Sequence, residues 1–216
     1  MVAAGRVGEI MAKFFVRHLA LYIALSVLLA MGIGFGALAT KSLSDSQRAD
    51  LSDYVATVFA GLTNSSGKSL SGLGQAWYSV TDDALKTTGL MWLLGLTVIG
   101  APVVLGIVFL RGFVLGFTIG FMIDQLHFKG IILSLISVLP HNLLAVPAIL
   151  LAAGGALIFA ASALKTLLGV SRESIYGKFA QATALAALSA CLLVLAAAVE
   201  LYITPVFVQL TQGLLA

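Results

Sequence analysis

Six polar side chains lie within or at the edges of long apolar runs, and they are the residues that could do chemistry: Asp124, Gln125, His127, His141, Asn142 and Glu200. An ionisable group at membrane depth is expensive, and a functional hypothesis attaches to it by default. Histidine and carboxylate suit zinc, so Asp124, His127, His141 and Glu200 are a conceivable metal set, but no HExxH motif supports it. A serine nucleophile paired with His127 or His141 would make a protease, and no GxSxG elbow is present. The plainer reading of Asp124, Gln125 and His127 is a helix end meeting interfacial water. For His141 and Asn142 it is hydrogen bonding to backbone groups freed by Pro140, which must find partners in lipid. The expectation is a protein that is not an enzyme, with no catalytic, metal-binding or cofactor-binding residues. The alternative is a small channel or transporter using the polar groups around Asp124, Asn142 and Glu200. Transporters tend to carry paired broken helices, and one break is visible here.

The elements that must position these groups are set by charge-free runs. Without Asp, Glu, Lys or Arg are 23 residues between Arg17 and Lys41, 24 between Lys86 and Arg111, 35 between Lys129 and Lys165, and 21 between Lys178 and Glu200. About 20 apolar residues cross a bilayer's hydrocarbon core. The chain is 60% hydrophobic and 10% charged, against roughly 25% charged in soluble domains. An all-α integral membrane protein follows, with lipid as a partner. The net charge of +3 is no nucleic-acid signal, because most Lys and Arg flank apolar runs, where they orient helices. The single cysteine, Cys191, can form no intrachain disulfide and is a small core residue.

The pattern predicts about five membrane helices in one domain. Residues 1–18 form a basic amphipathic segment. Helix 19–40 is an uncleaved span, too long for a signal-peptide core. The polar segment 41–87 carries two amphipathic stripes separated by the Asn64-Ser65-Ser66-Gly67 turn. It forms an outer cap, with Ser42 or Ser44 capping its start and Trp77 and Tyr78 suited to the lipid–water boundary. Spans follow at 88–110, kinked at Pro102 and ended by Arg111, and at 111–126. Pro140, His141 and Asn142 break the 35-residue run into a re-entrant or half-helix at 130–139 and a span at 143–164. A connector at 165–178, a span at 179–203 and a tail at 204–216 complete the chain.

Gly112, Gly116 and Gly120 recur every four residues and so share one helical face. Close packing drives helix association in lipid, and this face is a packing surface within the chain or in a homodimer. Seven of the 12 Lys and Arg fall on one side when the N-terminus is cytoplasmic. By the positive-inside rule, an odd number of spans then places the 41–87 segment and the C-terminus outside.

The order Gly89-Leu90-Met91-Trp92-Leu93-Leu94-Gly95-Leu96, Ile99-Gly100-Ala101-Pro102, Arg111-Gly112-Phe113-Val114-Leu115-Gly116-Phe117-Thr118, Ser137-Val138-Leu139-Pro140-His141-Asn142-Leu143 and Val146-Pro147 resembles the stage II sporulation protein M family. Leu21-Tyr22-Ile23, Glu200, Tyr202 and Pro205 extend the likeness over nearly the whole chain. The resemblance implies a noncatalytic, multi-pass scaffold in the mother-cell engulfing membrane of endospore formers. It would recruit and localise two peptidoglycan-degrading partners, stage II sporulation proteins D and P. The outward surface, with Tyr54, Phe59, Trp77 and Tyr78, is the candidate contact. The 41–87 and 165–178 segments match the family least well.

Overall fold

A computed structural model describes the backbone of residues 16–53, 86–169 and 175–202, and the side chains of these except 126–139, 175 and 200–202. Every regular element among them is helical. Helix α1 is Leu19–Ala39, extended by a 3-10 turn at Thr40–Ser42. Helix α2 is described over 45–53 and α3 over 86–95. Helix α4 is Gly100–Leu167 and α5 is Ile175–Tyr202. Among the described residues four stretches are long and apolar enough to cross a membrane: Leu19–Ser42, Gly100–Gln125, Pro140–Leu167 and Tyr176–Val199. The outer cap beyond residue 53 (with Tyr54, Phe59, Trp77 and Tyr78), the first 15 residues and the tail from 203 lie outside the described residues.

Helix α4 holds two of those spans and is not a straight rod. Gly112 lies against Leu29 of α1, and Gly154 lies against Tyr22. Leu29 and Tyr22 are about 10 Å apart along their helix at 1.5 Å per residue. Gly112 and Gly154 would be about 63 Å apart on a straight α4. Gly120 still packs beside Ala37, while Ala145 shares a core with Leu25, Leu29, Val104 and Val108. The element therefore folds back between Gly120 and Ala145. Its first arm, Gly100–Gln125, runs parallel to α1, and its second arm, Pro140–Leu167, runs antiparallel to both.

Two packing modes hold these elements together. Along the parallel pair, Leu29, Ile33 and Ala37 meet Gly112, Gly116 and Gly120 in four-residue steps. The fit is reciprocal: a methyl group on Gly32 would run into the Phe109 carbonyl, and one on Gly36 into that of Phe113. Small residues on both sides bring the backbones together, which is the main source of helix association in lipid. Along the antiparallel pair, Gly155 meets Ala182, Ser189 donates to the Ala148 carbonyl at 2.7 Å, and His141 meets the Ala196 carbonyl at 3.2 Å. The contacts step by seven residues on each helix, the repeat of a coiled-coil seam. The second arm is the centre of the bundle: 61% of its span is buried, against 22% to 33% for the others. Its inner positions are small (Ala145, Ala148, Ala152, Ala153, Ala156, Ala160), which lets neighbours close in from several sides. The outer stripe of α1, comprising Leu19, Ile23, Val27, Met31, Phe35 and Leu38, stays more than half exposed. In a membrane that stripe faces lipid.

Several boundaries differ from the sequence-based expectation. No helix end occurs at Arg111; the chain turns at 96–99 instead, where Leu96, Thr97 and Gly100 donate back to Trp92, Leu94 and Thr97. Pro102 does not kink a helix interior. It sits in the first turn of α4, where its missing N–H would have had no intrahelical acceptor anyway. Pro140, His141 and Asn142 are themselves helical and open the second arm, within the stretch between Gly120 and Ala145 where the element reverses. At the far end Gly169, with φ of +70°, stops α4 in the left-handed conformation that glycine tolerates.

Candidate functional site

The bundle has two polar ends of opposite character. At the end shared by the start of α1, the end of α4 and the start of α5 lie Arg17, His18, Lys165 and Lys178. Partial burial, with Arg17 and Lys178 nearby, holds the His18 imidazole below its ordinary pKa. Trp92 anchors α3 at this level. Its indole donates to Thr183 at 3.2 Å and its ring packs on Phe179, which in turn meets Phe159 edge-on.

At the opposite end the chain leaves α1 through a tightly bonded corner. Thr40 is 3% exposed and its hydroxyl donates to Ala37. Ser44 caps α2 through a reciprocal box: its backbone N–H donates to the Gln47 side chain, and the Gln47 N–H points back at the Ser44 hydroxyl. Of the two serines at this corner, Ser44 is the cap. Ser42 instead donates to the Ala39 carbonyl. Arg48 then closes the corner. Its guanidinium donates to the carbonyls of Thr40 at 3.1 Å and Leu43 at 3.3 Å and pairs with Asp124 at the end of the first arm of α4.

Asp124 is thus a helix-end residue with a defined partner, and Gln125 beside it is exposed. His141 lies on the second arm and bonds the carbonyl of Ala196, 55 residues further along the chain; that bond requires the proton on its Nδ1, since a carbonyl only accepts. That bond runs to α5 rather than to backbone freed by Pro140. Asn142 is half-buried. The side chains of His127 and Glu200 lie outside the described residues. Among the described residues no three His, Cys, Asp or Glu side chains come together. Gly112, Gly116 and Gly120 all face α1 of the same chain. Cys191 is exposed on α5 rather than in the core.

Two polar positions were not legible as such. Arg48 has a partner 76 residues away, and no local pattern announces it. Arg111 stands 11 residues after Gly100 in a span that runs on to Gln125, level with Leu28 and half-buried. A charge inside an apolar run reads as the run's end. Only Gly112, Gly116 and Gly120, which follow it four residues apart and carry one packing face on past the charge, point the other way.

Apolar spans, a small-residue core and polar groups confined largely to two ends define an all-helical membrane protein, with four helices among the described residues long and apolar enough to span a bilayer. A family profile described as Stage II sporulation protein M matches residues 25–205, which is most of the 216-residue chain. The chain belongs to that family and is a sporulation-related membrane protein. No curated protein matches it, and no solved structure does.

Proposed function

We propose that the chain is a noncatalytic scaffold in the mother-cell membrane that recruits and localises the peptidoglycan-degrading stage II sporulation proteins D and P during engulfment. Family membership supports this reading most strongly; the family is not one of known enzymes. The distribution of charge supports an orientation. Arg17, Lys165 and Lys178 cluster at one end, and Asp45, Asp50, Asp53 and Asp124 accompany Lys41 and Arg48 at the other. By the positive-inside rule the first end is cytoplasmic. The Arg48 corner and the segment it launches then face the wall, where such hydrolases act.

Asp124 is engaged by Arg48, which favours a structural use over the channel reading. Co-purification from sporulating cells tests the proposal. The intact chain is expected to bring down both hydrolases, and deletion of 64–80 to abolish this while membrane insertion persists. Unchanged recovery after the deletion would move the contact to the membrane helices. Recovery of neither hydrolase by the intact chain would contradict the scaffold itself.

A further inference from the structure

We propose that the end of the bundle carrying Arg17, Lys165 and Lys178 is a binding surface for the headgroups of anionic phospholipids. Three separate elements bring these cations to one rim. Tyr22 beside Gly154 and Phe159 beside Phe179 put the starts of α1 and α5 at the same depth against the second arm of α4. Lys165 lies about 9 Å further along that arm, at 1.5 Å per residue. Asp45, Asp50, Asp53 and Asp124 all belong to the opposite end.

The cations are interleaved with side chains that water would not favour. Val16 is 74% exposed, Leu167 78%, Leu168 68% and Tyr176 87%. Basic and oily groups alternating where apolar spans end match a partner that offers phosphate and acyl chain together. The phosphodiester layer of a bilayer lies at that depth. A soluble acidic peptide would satisfy the cations and leave the apolar groups in water. Long Lys and Arg stems can lie along hydrocarbon while their charged heads reach the phosphates.

Spin-labelled lipids measure the preference directly on the full chain reconstituted in bilayers. Phosphatidylglycerol is expected to be selected over phosphatidylcholine by roughly three- to ten-fold. The R17Q/K165Q/K178Q variant should bring the ratio close to one, whereas K41Q at the opposite end should leave it unchanged. Should the triple variant fold poorly, salt answers the question on the unmodified chain: 1 M NaCl shortens the screening length to about 3 Å and should erase most of the preference, while millimolar inorganic phosphate should not. Equal selection of the two lipids, a preference that survives 1 M NaCl, or full selectivity in a folded triple variant would overturn the proposal.

Discussion

Arg48 and Asp124, 76 residues apart in sequence, are joined as an ion pair that fastens the first turn of α2 to the end of the first arm of α4. The same guanidinium holds the Thr40 and Leu43 carbonyls, so one side chain sets the direction in which the polar segment leaves the bundle. The two side chains are 28% and 37% exposed, and a pair that wet contributes under about 1 kcal/mol to stability. Asp124→Asn is therefore expected to leave thermal unfolding almost unchanged while increasing protease cleavage after residue 43. A charge-swapped R48D/D124R chain should recover this only in part, because aspartate cannot donate to the two carbonyls. Full recovery would show that the ion pair alone orients the corner.

The glycine face supports a graded prediction. A methyl group at Gly116 would collide with the Ile33 carbonyl, and one at Gly112 with that of Leu29. Backbone cannot yield as a flexible side chain can, so Gly116→Ala should cost about 1–3 kcal/mol, and Gly116→Leu should prevent the bundle from closing. Gly34 and Gly106 have open space where a Cβ would go, and alanine there should be neutral or mildly stabilising. Thermal unfolding in detergent, compared across these four variants, checks the order. Equal tolerance at Gly116 and Gly34 would show that α1 and the first arm do not meet through this face.

Ser189 is fully buried and ties α5 to the centre of the bundle at Ala148. Interhelical hydrogen bonds in membranes contribute about 0.6 kcal/mol on average. Ser189→Ala should lower stability by about that amount, a shift of a few degrees or less. Ser189→Leu should do far more, since a larger side chain would have to enter a fully enclosed position between α5 and the second arm.

Helix positions were readable from the sequence because charge-free length has one physical meaning in lipid. Helices long and apolar enough to cross a membrane cover Leu19–Ser42, where a span is expected at 19–40, and Tyr176–Val199, where one is expected at 179–203. Boundaries failed where one residue type has two uses. Arg111 reads as a terminus because a charge is expensive in hydrocarbon, yet it stands within a span whose glycines pack on α1. Pro102 reads as a kink, whereas it occupies a first turn; Pro140 stands at the start of the second arm. The reversal between Gly120 and Ala145 and the Arg48–Asp124 closure depend on contacts between segments far apart in the chain, which no local pattern encodes.

Orientation is the point on which the scaffold proposal turns, since wall hydrolases can be held only from the wall side. In a Cys191→Ala background, Ser42→Cys and Leu168→Cys place single thiols at opposite ends without altering a charge. A membrane-impermeant maleimide applied to intact protoplasts is expected to label residue 42 at once and residue 168 only after permeabilisation. Labelling of 168 but not 42 in intact cells would put the Arg48–Asp124 end in the cytosol and contradict the proposed function.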